Sequence, residues 1–163
     1  MMSIRKATEV DLQSILDIYN DVIQNTTAVF HYDLQTLQMR KEWFAQKQKE
    51  NFPVFVAKEN NDIVGFSTFG QFRAWQAYQY TVENSVYVKA EQRGKGIAKL
   101  LMQPLIDTAR AMNLHTMIAG ITADNEASIA LHKQFGFVET VRLKEVGYKF
   151  NKWLDLIFMQ LML

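Results

Sequence analysis

Apolar and polar positions alternate along this chain with two periods, and the switches between them predict seven strands and four helices. Residues 3–7 form a short strand, and Thr8 with Asp11 makes a capping-box pair ahead of a helix. Leu12, Ile15, Leu16, Tyr19, Val22 and Ile23 then fall on one helical face. A second helix is predicted from Thr36 to about Lys49, with Met39, Trp43 and Phe44 as its apolar side. FPVFVAK and DIVGFSTFGQF flank Asn60, Asn61 and Asp62, the pattern of two strands joined by a hairpin turn. A strand from about Tyr80 to Val88 leads through a glycine loop into a helix from Ile97 to about Met112. Within that helix Pro104 should impose a kink or leave one carbonyl unpaired. HTMIAGI reads as a buried strand, ASIALHKQF as a short helix, and VETVRLKEV and WLDLIFMQLML as closing strands. This order predicts a mixed α/β or α+β domain over residues 1–163, one sheet with helices on its faces.

Composition narrows the partners. The chain has 163 residues, 21% of them charged, and a formal net charge of +1 with acids and bases interspersed. The basic stripe of a nucleic-acid binder is absent from it, so no nucleic acid is expected. No apolar run approaches the roughly 20 residues of a membrane span, and the start, MMSIRKATEVDL, has no signal-peptide core. With zero cysteines there is no thiolate metal site and no cysteine nucleophile, and the cytoplasm is the expected compartment. His31, His115 and His132 show no i, i+4 pairing, so no metal is expected.

The stretch VYVKAEQRGKGIAKLL carries the first chemistry. Unpaired N–H groups at a helix start attract anions, and Gly94 and Gly96 would let a phosphate approach the backbone. A P-loop fails here, since Lys89 stands where its first glycine belongs and Gly96 follows Lys95. A dinucleotide fingerprint fails as well: Lys99 replaces its third small residue, and Leu114 and His115 stand where an acid is needed. GFSTFG lacks the last glycine of a nucleophile elbow, because Phe69 is there.

Arg93, Gly96 and Ala98 instead satisfy (Arg/Gln)-x-x-Gly-x-(Gly/Ala), which resembles the pyrophosphate loop of the GNAT superfamily of N-acetyltransferases. TVENSVYV before that loop, QFRAWQAYQY, ADNEASIALHKQFGF and GYKFNKWLDLIFMQL extend the resemblance to the phosphinothricin and methionine sulfone or sulfoximine acetyltransferase branch. The resemblance implies a mostly antiparallel central sheet of about seven strands flanked by about four helices. It also implies acetyl-CoA as cosubstrate, a small amino acid acceptor, and a homodimer.

By the same resemblance Glu83 would be the general base, although strand alternation alone would simply point it to solvent. The backbone of Val86, Tyr87 and Val88 would pair with the pantetheine arm, and Arg93, Gly94, Lys95, Gly96, Ile97, Ala98 and Lys99 would hold the pyrophosphate. Asn125 would contact the cofactor, and His132 would protonate the leaving thiolate or serve structure alone. Phe30, Arg73, Ala74, Trp75, Tyr148, Lys149 and Phe150 would line the acceptor site beside Glu83. Two alternatives stay open: an acetyltransferase of protein N-termini or polyamines, and a non-catalytic acyl-CoA sensor.

Overall fold

In a computed structural model describing residues 1–163, strand β1 (Met2–Lys6) runs through a 3-10 turn (Glu9–Asp11) into helix α1 (Leu12–Asn25). The predicted cap forms: Asp11 accepts from the Thr8 N–H at 2.8 Å and from two nitrogens of Arg5 at 2.7 and 2.8 Å. Those donors, Arg5 first, hold the buried Asp11 carboxylate below its usual pKa range. Leu12, Ile15, Leu16, Val22 and Ile23 are buried as expected, and Ile18 joins them.

Helix α2 (Leu37–Lys49) starts at Thr36, whose hydroxyl accepts from the Met39 N–H at 3.2 Å. Its inner face differs from the prediction. Phe44 is buried, but Met39 is 48% exposed and Arg40 takes the inward position at 2%. The arginine can be buried because aromatic faces receive its cation, with Tyr19 at 4.2 Å and Trp43 at 4.5 Å from the guanidinium carbon.

Strands β2 (Val54–Glu59) and β3 (Asp62–Gln71) form the expected hairpin, with Asn60 and Asn61 both at positive φ. Then follow β4 (Thr81–Val88), α3 (Ile97–Ala111), β5 (Thr116–Thr122), α4 (Glu126–Gln134), β6 (Val138–Lys149) and β7 (Lys152–Met162). Strand β6 runs longer than VETVRLKEV suggests and ends at a tight turn made by Phe150 and Asn151, both at positive φ. Helix α3 continues through Pro104. The proline has no N–H for the Leu100 carbonyl, and Leu100 lies on the exposed side, where water can reach it.

The sheet order is β1-β2-β3-β4-β5-β7-β6, with every neighbouring pair antiparallel except β4 and β5. One face packs Leu101, Met102 and Leu105 of α3 against Val64, Phe69, Met117 and Met159. The other packs α1 and Phe44 of α2 on Val54, Val56, Ile63 and Phe66. Strand β2 alternates between these two cores, which is why FPVFVAK is apolar almost throughout.

The feature that makes room for a site lies at the parallel pair. Strands β4 and β5 pair over only three residues each, Thr81–Glu83 against Thr116–Ile118, and then part. From Asn84 to Val88, strand β4 keeps β3 on one side and leaves its other edge open.

Candidate active site

A cavity of about 560 Å³ occupies the gap between the parted strands. Glu83 stands at its apex as the last β4 residue paired with β5. Its carboxylate fits because residue 120 is glycine: a Cβ there would come within 3.1 Å of Glu83 Oε1. Burial pushes the Glu83 pKa up, and Arg73, lining the same cavity, opposes that rise. A carboxylate that burial makes reluctant to ionise is better suited than an exposed glutamate to exchange a proton with a bound amine.

His132 also lines the cavity and is 4% exposed. Its Nδ1 lies 2.7 Å from the Ser128 carbonyl and therefore donates, which leaves Nε2 to accept from the Asn84 side-chain amide at 3.1 Å. Both nitrogens of a neutral ring are thus engaged, and burial holds the pKa below that of a free histidine. Of the two roles expected of His132, thiolate-protonating acid or structural residue, this arrangement favours the second, because the imidazolium is the form that burial disfavours. What the ring does hold is Asn84, whose Nδ2 also approaches Met102 Sδ at 3.4 Å.

The glycine loop opens to one side. Gly94 and Gly96 have φ of 77° and 79°, and a Cβ added to either would meet nothing within 4 Å. Glycine is thus required by conformation and leaves open space above the backbone. No backbone carbonyl accepts the N–H groups of residues 94–98, so a row of donors stands free at the start of α3. Ile97 faces the core and can offer only its N–H, while Lys95 and Lys99 are exposed, Lys95 donating to Gln92 Oε1 at 2.7 Å. Between loop and cavity, a groove of about 480 Å³ is lined by Val86, Tyr87, Val88, Arg93 and Asn125. Arg93 Nε donates to the Val88 carbonyl at 3.2 Å, and Asn125 caps α4 by accepting from the Ser128 N–H at 3.2 Å. The open β4 edge, the groove and the free donors fit an extended arm ending in a pyrophosphate, as acetyl-CoA has.

The residues expected around an acceptor divide into two groups. Phe30 and Arg73 line the cavity, and the Phe30 ring lies so close over Gly147 that a Cβ there would stand 2.7 Å from it. Ala74 and Trp75 lie outside, with Trp75 71% exposed. Tyr148 is an exposed residue whose carbonyl accepts from the Tyr32 hydroxyl. Phe150 borders the groove along β4 instead of the cavity. Lys149 is the clearest departure, for its ammonium is buried and donates to the carbonyls of Ile23, Thr26 and Val29 at 2.6, 2.8 and 2.8 Å. With all three donors used to close the end of α1, it has none for a ligand. Asn84, Ser128 and Gly120 escaped the sequence reading. The signals were present as a polar residue beside Glu83 in an apolar strand, and a glycine inside TMIAGIT.

Residues 4–158 match the family model for the acetyltransferase (GNAT) domain. An L-methionine sulfoximine/L-methionine sulfone acetyltransferase of Pseudomonas paraeruginosa is 44% identical over 160 residues, 98% of this chain and 93% of that protein. The crystal structure of an N-acetyltransferase from Staphylococcus aureus Mu50 superposes with a TM-score of 0.98 at 53% identity, covering 99% of this chain and 98% of that one. A phosphinothricin acetyltransferase from Sinorhizobium meliloti, crystallised in complex with AcCoA, gives 0.96 at 34% identity, covering 99% and 88%.

The neutral, buried His132 has a consequence for stability against pH. A histidine in the unfolded chain takes a proton below about pH 6.5, and the folded ring resists it. Stability should therefore fall as pH drops below that value, until the folded ring titrates too. In urea denaturation at pH 7.5 and pH 5.5, His132→Gln should show a smaller difference between the two pH values than the wild type. An unchanged difference would show that the ring is not held neutral.

Proposed function

The chain belongs to the acetyltransferase (GNAT) family, an acetyl-CoA-dependent enzyme family, and on that premise we propose that its acceptor is a small amino acid analogue. The α-amino group of methionine sulfoximine, methionine sulfone or phosphinothricin is acetylated, in keeping with the relatives that carry those names. The observation that carries the reading is Glu83, a carboxylate of raised pKa facing Arg73 at the apex of the opening between β4 and β5.

Acetyl-CoA supplies an acetyl thioester, whose carbonyl carbon is the electrophile. The free N–H groups of residues 94–98 would hold its pyrophosphate, with Arg93 and the Lys99 side chain nearby, and the edge of Val86 to Val88 would pair with its pantetheine arm. Asn125 would border that arm. An amine attacks only when unprotonated, so Glu83 takes a proton from the bound ammonium, directly or through one water. As the C–N bond forms and the C–S bond breaks, the attacking nitrogen gives up its second proton to water, and water delivers one proton to the departing thiolate, since both nitrogens of His132 are engaged. The proton on Glu83 is then released to solvent. No covalent enzyme intermediate is needed, and with no cysteine in the chain none can form on a thiolate. Arg73 pairs with an oxyanion of the acceptor, while Phe30 covers it.

We take residues 1–163 as one catalytic domain, because the family match spans 4–158 and the sheet runs from Met2 to Met162. We infer that the working unit is a homodimer in the cytoplasm. Supporting the dimer, the edge strand β6 exposes Val138, Val141, Leu143 and Val146, and Trp75 and Trp153 are 71% and 63% exposed. Sedimentation equilibrium should give a dimer that Val141→Glu weakens, and a wild-type monomer at tens of micromolar would rule it out.

A thiol-release assay over the three acceptors tests the activity itself. Turnover is expected with at least one of them, and Glu83→Gln should lower kcat/KM by about 10²–10⁴. Full activity of that variant at neutral pH would remove Glu83 from the mechanism. Gly96→Ala should raise the KM for acetyl-CoA by about tenfold or more through one weakened charged hydrogen bond. An unchanged KM would take the loop out of pyrophosphate binding.

A further inference from the structure

A second cavity, of about 460 Å³, lies beside the first, beneath α2 and against β3 and β4, and nothing in the proposed chemistry uses it. The two share Tyr19, His31, Ser85 and Tyr87. Charge distinguishes the second, for Arg40 and Lys47 both line it and neither is in an ion pair. Arg40 is 98% buried by its 2% exposure, donates from Nη2 to Gln35, and has an Nε with no hydrogen-bond partner at all. Lys47 donates to the Phe69 carbonyl at 2.8 Å, and burial pushes its pKa down to about 8. The one carboxylate on the lining, Glu42, is exposed and accepts from Gln38 at 3.1 Å. Aromatic faces offset part of the cost of burying these cations, but a guanidinium N–H shut away without an acceptor is a standing penalty. An anion entering the cavity would give the two cations on its lining an opposite charge that no ion pair supplies.

We propose that this cavity is a binding subsite for a small oxyanion, a sulfate-, phosphinate- or carboxylate-sized group held by Arg40 and Lys47. Such a group has two sources, the far end of an acidic acceptor or a free inorganic anion. The first rests on the acceptor reading above and has a geometric basis in β4. Glu83, Ser85 and Tyr87 share one face of that strand, with Ser85 about 6.6 Å beyond Glu83. An amino acid whose amine meets Glu83 can therefore extend its side chain toward Ser85, the residue common to both cavities. Phosphinothricin carries two anionic groups, and the first cavity supplies only Arg73 as a full cation.

The test uses sulfate as probe on the intact chain, with chloride matched in ionic strength. Calorimetric titration and thermal shift should show sulfate-specific binding to the wild type, weakened at least about tenfold in Arg40→Met and in Lys47→Met. Circular dichroism identifies the variants that fold, and Lys47→Met supplies the comparison if Arg40→Met does not. Sulfate competing with phosphinothricin but not with methionine sulfone assigns the subsite to the acceptor's far end. Sulfate binding without change in either KM assigns it to a free anion. No sulfate-specific binding by the wild type, or equal affinity in the folded variants, overturns the proposal. Because binding is read without turnover, a chain that binds sulfate but acetylates none of the acceptors refutes the proposed function and leaves the subsite standing.

Discussion

Everything distinctive in this molecule depends on two parallel strands that stay paired for three residues and then separate. While β4 and β5 are joined, Thr81 to Glu83 sit inside an ordinary sheet. Once they part, β4 has a backbone edge with unmet hydrogen-bonding capacity in the middle of a seven-stranded sheet, where an extended ligand can act as the missing strand. The same separation creates the cavity whose apex holds Glu83, and directs the end of β4 toward the glycine loop and the free N–H groups of α3. Open strand edge, free loop donors and the Glu83 cavity are thus consequences of one local topology.

Around that opening, buried polar groups are arranged to keep it fixed. His132 and Ser128 of α4 hold Asn84 of β4, bridging the strand on one side of the gap to the helix that follows the strand on the other. Lys149 gathers three carbonyls at the end of α1 and so fixes the loop that carries Phe30 over Gly147. Such interactions are costly to leave half made, which favours one arrangement of the site over many.

The element order was legible because each segment has a clean period and its boundaries carry specific residues: Thr36 as a helix cap, Asn60 and Asn61 in a turn, Gly96 before a helix. The glycine turn before α3 was legible for the same reason, since Gly94 and Gly96 both take positive φ, whereas the roles expected of TVENSVYV came from resemblance alone. The inner face of α2 was not. Hydropathy places Met39 inside and Arg40 outside, and only the aromatic rings of Tyr19 and Trp43, one of them distant in sequence, reverse that order. Lys149 was misjudged on similar grounds, because three carbonyls from residues more than a hundred positions away decide where its ammonium points. Trp75 lies outside the cavity for a different reason: it stands 71% exposed on the segment that joins β3 to β4.

The central claim is that a carboxylate of raised pKa at the point of strand separation deprotonates the acceptor. Its most direct test is the pH dependence of kcat/KM for methionine sulfone in the wild type and in Glu83→Gln. The wild-type rate should rise with pH along an acid limb set above the ordinary glutamate value of about 4.3, and that limb should be missing from the much slower variant. An identical acid limb at comparable rate in Glu83→Gln would contradict the account.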